Sequence, residues 1–136
     1  MDKKIGGGET MTIECCCSTE SNIMIIACSG GSNVGQITNQ VAVELTKERW
    51  GKMFCLAGIG AHLSGFVQSA KDTPVVIVID GCEIGCAKEI FKHLDIPIKN
   101  YFVVTKDLKI EKTVDIEPKS KDIERLKQLI KEKIRG

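Results

Sequence analysis

The chain has 136 residues, of which 43% are hydrophobic, and its 19 Lys and Arg residues against 18 Asp and Glu residues give a net charge of +1. A chain of this length buries enough apolar surface for one ordinary domain. The balanced charge and the small number of aromatic residues, four Phe, one Tyr and one Trp, argue against nucleic-acid binding, which uses a basic surface or stacking rings.

Residues 1–22 are predicted to form an N-terminal arm that precedes a single α/β domain over residues 23–136. The arm begins "MDKKIGGGET", which lacks the apolar stretch of a signal peptide, so we expect a cytoplasmic, reducing location. It carries the adjacent cysteines Cys15, Cys16 and Cys17, of which at most two point the same way in an extended chain. One interpretation is that these thiols are tolerated on an exposed tail. The other is that the arm brings Cys15 or Cys17 to a site on the domain.

The domain is predicted to alternate strands with helices. Apolar residues recur at helical spacing in the helices, and "TPVVIVID" has the β-branched run of a buried parallel strand. The longest apolar run, "VVIVI" in this strand, is far shorter than the roughly 20 residues of a membrane span, so we expect no membrane partner. The predicted order is a strand over 23–28, a helix over 33–49, a "KMFCLA" strand, "GIG", a helix over 61–70, the "VVIVID" strand, a helix over 83–94, a "PIKNYFVVT" strand, a polar connection and a closing helix capped by Ser120.

Short connections between alternating strands and helices predict a three-layer α/β/α sandwich. Its sheet is expected to be mainly parallel with four or more strands, as in flavodoxin-like and Rossmann-like folds, in the order 2-1-3-4. In such a fold, ligands bind beyond the carboxyl ends of the strands. The residues that follow each strand are therefore the candidates for a functional site.

The loop after the first strand, "ACSGGSNVGQ", resembles a nucleotide-binding turn without its chemistry. Ser29, Gly30, Gly31 and Ser32 form a strand-to-helix turn that suits an anion. The phosphate-loop spacing from Gly30 is followed by Gln36 and Ile37, where a phosphate loop has Lys and Ser or Thr. The loop is therefore predicted to surround sulfur, or a metal held by sulfur, rather than a phosphate.

Seven cysteines are the main anomaly of the composition. Cys28, Cys55 and Cys82 recur every 27 residues (28 to 55 and 55 to 82), which is one strand–helix unit, so they are expected at one edge of the sheet. Cys86 follows Cys82 by four positions and shares its face if the helix begins near residue 82. Four thiolates suit one tetrahedral zinc ion. The alternative for each cysteine, and especially for Cys55 inside its predicted strand, is packing in the core.

The segment from Ile23 to about Val114 resembles the DGC domain family of bacteria and archaea, whose members are described as zinc-binding. The resemblance rests on "ACSGGSNVGQ", "KMFCLAGIGAHLSGFVQSAK" and "VVIVIDGCEIGCAK", in which Asp80, Gly81 and Cys82 form the naming motif. It implies that Cys28, Cys55, Cys82 and Cys86 bind a metal ion. It implies no reaction, because the family has no established one.

Asp80, His62 and His93 are the remaining polar residues with a predicted place or role. Asp80 is predicted to accept hydrogen bonds from the amides of the turn that follows it, and the alternative is a metal ligand or a base. His62 follows "AGIG" near the cysteine edge, as a replacement ligand, a support for one, or a residue without a role there. His93 is expected at the opposite edge, near a helix end. The lysines of the closing helix are expected to face solvent.

Two classes of function follow from the cysteines, and a third is less favoured. The first is a metal-binding protein, with zinc expected and an iron–sulfur cluster as the other option for four thiolates. The second is a redox or sulfur-transfer enzyme in which Cys28 is the nucleophile and a second cysteine resolves the intermediate. The third is a structural interaction module. No protein partner is indicated by the sequence.

Overall fold

The structure is a computed structural model and describes residues 22–135. Its elements follow the alternation predicted from the sequence. In chain order they are β1 (Ile23–Ala27), α1 (Asn33–Lys47), β2 (Lys52–Met53), α2 (Leu56–Gly60), α3 (Ser64–Asp72), β3 (Val75–Asp80), α4 (Cys86–His93), β4 (Asn100–Val103), α5 (Val104–Asp107) and α6 (Ser120–Arg135).

The four strands form one parallel sheet in the order β2-β1-β3-β4, which confirms the predicted order. In the centre of the sheet, β1 pairs with β3 along its whole length, from Ile23 opposite Val75 to Ala27 opposite Ile79. Because all strands run the same way, their carboxyl ends meet at one edge. That edge is called the carboxyl edge below.

Side chains alternate along the central strands between two apolar cores. Ile25 and Ala27 of β1 enter the core that α1 and α6 complete, and Met24 and Ile26 enter the core that α3 and α4 complete. Helices therefore cover both faces of the sheet, and the predicted three-layer α/β/α architecture is confirmed.

Helix α1 begins and ends close to the predicted positions. Its cap is Ser32, whose hydroxyl accepts a hydrogen bond from the Gly35 amide at 3.0 Å. The apolar face predicted from the spacing is buried. The helix ends at Lys47 rather than at Arg49, because the chain leaves the helix through a left-handed backbone at Arg49, with φ of 65°.

The structure corrects the prediction for the region around Cys55. Strand β2 ends at Met53, and the predicted "GIG" turn lies inside the short helix α2, so Cys55 precedes a helix and is exposed. Phe54 is buried, and its ring centroid lies 5.2 Å from that of Phe66. Ile59 of α2 is buried in the same core as Phe54, whereas Cys55 between them is exposed. Core packing, the alternative interpretation of Cys55, is therefore wrong.

Helix α4 starts three residues later than predicted, at Cys86. The residue before it, Gly85, has φ of 70°, a left-handed conformation that glycine adopts without strain. The segment from Gly81 to Gly85 is thus a turn, and Ile84, which falls inside the helix predicted over 83–94, lies outside α4 and is 68% exposed. Cys82 consequently lies in the turn and Cys86 at the start of α4, so the two cysteines do not share one face of a helix.

The closing helix α6 also departs from its prediction at one position. Lys127 is 5% exposed, although the lysines of this helix were expected to face solvent. Its ammonium group donates to Glu44 at 2.9 Å and to Glu48 at 2.6 Å, both on α1. Hydrogen bonds to these carboxylates, Glu48 first, hold the pKa of Lys127 above its usual value. These two ion pairs, in which only the lysine is buried, join α6 to α1.

Candidate functional site

Three of the predicted cysteines lie at the carboxyl edge. Cys28 directly follows β1, Cys55 lies two residues beyond β2, and Cys82 lies two residues beyond β3. Cys28 packs against the core on the α4 side of the sheet, whereas Cys82 packs against the core on the α1 side. The 27-residue spacing thus predicts the shared edge correctly, and the two half-buried thiols approach the edge from opposite faces.

The Cys28 sulfur has two polar neighbours. The Gly81 amide donates a hydrogen bond to it at 3.3 Å, and the Thr38 hydroxyl lies 3.7 Å away. The Thr38 hydroxyl itself donates to the Gly35 carbonyl at 2.7 Å, which orients its oxygen towards the loop. The Gly81 amide thus offers the Cys28 sulfur one hydrogen-bond donor, whereas the Thr38 oxygen, whose proton goes to Gly35, can only accept.

The loop after Cys28 uses several of its polar groups internally. The Ser29 amide donates to Thr38 at 3.1 Å, and the Ser32 amide donates to the Gly30 carbonyl at 3.0 Å. The Gln36 side chain donates to the same Gly30 carbonyl at 2.9 Å. Donors that serve the loop itself are not offered to an external anion. Anion binding by Ser29, Gly30, Gly31 and Ser32 stays a prediction that this bonding does not favour.

Gly81 brings the turn before α4 against the first turn of α1. A Cβ atom at this position would lie 2.8 Å from the Gly35 nitrogen and 2.9 Å from the Val34 carbonyl carbon. Both contacts are with backbone, which cannot move aside as a flexible side chain can. Glycine in the naming motif therefore permits this close approach. The approach places the Gly81 amide against the Cys28 sulfur, and it places Cys82 beside α1.

Asp80 has the capping role that the sequence predicted for it, with the amides of α4 in place of those of the turn. The carboxylate is 1% exposed and accepts hydrogen bonds from the Ala87 amide at 2.8 Å and the Lys88 amide at 3.0 Å. The Tyr101 hydroxyl donates to it at 2.7 Å. Because both carboxylate oxygens accept hydrogen bonds in this way, Asp80 holds the first turn of α4 in position, and its role as a metal ligand stays a prediction.

Cys86 begins this helix, and its thiol lies among potential anions. Neighbouring atoms remove part of the water around it, and the negative charges of Asp80, Cys28 and Cys82 add to this effect, so the pKa of Cys86 lies above its usual value. Burial and the hydrogen bond to Asp80 likewise raise the pKa of Tyr101. The Gly81 amide that contacts the Cys28 sulfur directly precedes Cys82, and Cys86 begins the helix after the same turn. Cys28, Cys82 and Cys86 are called the thiol cluster below.

The other predicted residues are Cys55, His62 and His93. Cys55 is exposed directly before α2. His62 is exposed in the turn between α2 and α3, with φ of 62°. His93 ends α4, at the opposite edge of the sheet as expected. The roles of Cys55 and His62 as metal ligands stay predictions.

Cys15, Cys16 and Cys17 lie outside the described residues. A contribution of Cys15 or Cys17 to the carboxyl edge stays a prediction.

The donors suit a soft metal ion by their chemistry, since thiolates bind zinc and iron well. Within residues 22–135, however, no three or more His, Cys, Asp or Glu side chains are arranged to hold a metal ion. The side chains of the thiol cluster would have to rotate to close a ligand set. Metal binding therefore stays a prediction.

Two contributors to this site were not predicted from the sequence. For Tyr101 the available signal is that it is the single tyrosine and lies on the last predicted strand. Lys112, whose ammonium group lies 3.5 Å from the Cys82 sulfur, belongs to the segment predicted as a polar connection. Only the tertiary structure brings these residues to the cysteines.

Comparison with known proteins gives one family and one curated relative. The profile of the DGC domain matches residues 24–130. The "Anaerobic and virulence modulator AnvM" of Pseudomonas aeruginosa is 33% identical over 104 residues, which are 76% of this chain and 78% of that protein. No solved structure matches. Among the helices of residues 22–135, none has the length and apolarity needed to cross a bilayer.

Proposed function

The chain belongs to the DGC domain family, and from this membership and the thiol cluster we propose that it binds a thiophilic metal ion at the carboxyl edge. Zinc is the expected ion, since thiolates are its common ligands and no redox change is required of it. Cys28, Cys82 and Cys86 of the thiol cluster are the proposed protein ligands, and Cys55 is the proposed fourth. A cytoplasmic, reducing location, also proposed, would keep these thiols available.

The position of Cys28, Cys55 and Cys82 just beyond the ends of three parallel strands, with Cys86 at the start of α4, is the observation that carries this proposal. Burial first, and then Asp80, Cys28 and Cys82, which carry negative charge or acquire it on ionisation, raise the pKa of Cys86. Placing several such groups together costs free energy unless a cation offsets them. A bound divalent ion would reverse the balance and release the Cys86 proton.

The name of the relative adds a regulatory direction to the proposal. That protein is called an anaerobic and virulence modulator. Thiolate ligands are lost when oxidants convert them to disulfides or sulfenic acids. We extend the proposal to a regulatory protein whose metal occupancy depends on the oxidation state of its cysteines.

The proposal is tested on the full chain, purified without oxygen. Elemental analysis should find about one zinc per chain, and the Cys82→Ser/Cys86→Ser double variant should lose it. Zinc affinity should rise with pH between about 6 and 9, because binding displaces thiol protons. A Cys55→Ser variant shows whether the fourth thiol contributes. Stoichiometric zinc in the double variant would rule out the proposed ligands.

A redox or sulfur-transfer role for Cys28 is the second candidate, favoured by the amide of Gly81 on its sulfur. It predicts zinc-free protein in which Cys28 forms a disulfide or persulfide, detectable by mass spectrometry, and a Cys28→Ser variant without that product. An iron–sulfur cluster would instead show iron, sulfide and visible absorption in the same preparation.

A further inference from the structure

The loop over residues 109–119 supplies a positive charge to the thiol cluster. The Lys112 ammonium group lies 3.5 Å from the Cys82 sulfur, although Lys112 is an exposed residue. An exposed lysine loses up to about 2 kcal/mol of side-chain entropy when it is held in one place. The position of its backbone therefore decides whether the contact persists.

Asn33, the first residue of α1, fixes that backbone on both sides of Lys112. Its side-chain amide donates to the Glu111 carbonyl at 2.9 Å, and its side-chain oxygen accepts from the Thr113 amide at 2.7 Å. Its own backbone amide donates to the Thr113 carbonyl at 3.2 Å. Lys112 is thus the residue between two positions that the same asparagine holds.

Cys82 is fixed to the same helix from the other side. It packs against the core that α1 completes, and the glycine before it touches the backbone of Gly35 in the first turn of α1. Cys82 and Lys112 are therefore both positioned by the start of α1. The start of α1 therefore brings the two residues together.

We propose that Lys112 is the charge-compensating residue of the thiol cluster and that Asn33 is the positioning residue that holds it there. Lys112 offsets negative charge on Cys82. It therefore favours the reaction or binding of anionic molecules at this thiol over that of neutral ones. The inference deepens the proposed function, since a divalent ion with three or four thiolates is a net anion. It requires only the Cys82 thiol, so it is testable without metal.

The experiment compares alkylation of the reduced, metal-free full chain by iodoacetate and by iodoacetamide. Both reagents react with the same thiolate at the same kind of carbon, but only iodoacetate is anionic, so the ratio of their rates reports local charge. Peptide mass spectrometry gives this ratio for Cys82 and, as an internal reference, for Cys55. The variants are Lys112→Met, Lys112→Arg, Asn33→Ala and, as a matched control on the same loop, Lys109→Met.

We expect Lys112→Met to lower the iodoacetate-to-iodoacetamide ratio at Cys82 about fivefold, as one unit charge about 4 Å away does in water. Asn33→Ala should lower it in the same direction, and Lys112→Arg should restore it. The ratio at Cys55 and the Lys109→Met protein should not change. Added salt should shrink the difference between wild type and Lys112→Met.

Three results would overturn the inference: an unchanged ratio in Lys112→Met, an equal fall in Lys109→Met, or an Asn33→Ala ratio equal to that of wild type. The first two remove the role of Lys112, and the third removes the positioning role of Asn33. Circular dichroism confirms that each variant is folded. A protein that fails to bind zinc but shows the expected ratios refutes the proposed function and leaves this inference standing.

Discussion

Replacing Asp80 by Asn should destabilise the protein strongly, because it changes one atom in a buried carboxylate that accepts three hydrogen bonds. These come from the amides of Ala87 and Lys88 and from the hydroxyl of Tyr101. An asparagine can turn its oxygen towards Lys88 and Tyr101 and keep two of the bonds. Its NH₂ group then faces the Ala87 amide, a donor against a donor, at a residue with 0% exposure.

The expected loss of stability is about 3 kcal/mol. Leaving the Ala87 amide unsatisfied costs about 1–3 kcal/mol, and the remaining bonds lose the strength that a charged acceptor adds. The missing negative charge at the start of α4 costs about 0.5 kcal/mol more. For a domain of this size the change corresponds to a fall in the melting temperature of about 10 °C.

Urea unfolding followed by circular dichroism measures the difference, and Asp107→Asn serves as the matched control. Asp107 is exposed and accepts a hydrogen bond from the Val103 amide at 2.9 Å, so its replacement should cost under about 1 kcal/mol. If Asp80→Asn were no more destabilising than Asp107→Asn, the claim that Asp80 holds α4 would be wrong.

Two further variants test the surroundings of this site. Burial and the hydrogen bond to Asp80 raise the pKa of Tyr101, so its contribution to stability is complete below the unfolded value of about 10 and declines above it, by at most about 1.4 kcal/mol per pH unit. A Tyr101→Phe protein, less stable by about 1 kcal/mol at neutral pH, should lack this decline. The profiles of stability against pH of the two proteins should therefore converge above about pH 10, and parallel profiles would contradict the argument. Gly81→Ala should lower the free energy of unfolding by about 1–3 kcal/mol, because its Cβ would lie 2.8 Å from the Gly35 nitrogen. The control Gly65→Ala in α3, whose Cβ meets nothing within 4 Å, should leave stability unchanged or raise it by up to about 1 kcal/mol. Equal losses of stability in the denaturation curves of the Gly81 and Gly65 variants would refute the steric explanation.

The sequence predicted elements best where one physical pattern extends over many residues. The apolar face of α1 and the β-branched run of β3 were located within two residues, since helical spacing and continuous burial each leave a distinct pattern. The prediction was wrong around Cys55 and Ile84, where a few residues pass from strand to helix. Short turns depend on single backbone angles, such as the left-handed Gly85, and on which ring enters the core.

By itself, the sequence determined the three-layer fold, the strand order and the shared edge of Cys28, Cys55 and Cys82, because periodic burial and the length of one strand–helix unit are local properties of the chain. Only the tertiary structure decided what surrounds those thiols. Asn33 bonds to Thr113 across 80 positions, and the Gly81 amide reaches Cys28 across 53. Such contacts follow from how separate units pack at the carboxyl edge, and packing of that kind leaves no periodic pattern in the sequence.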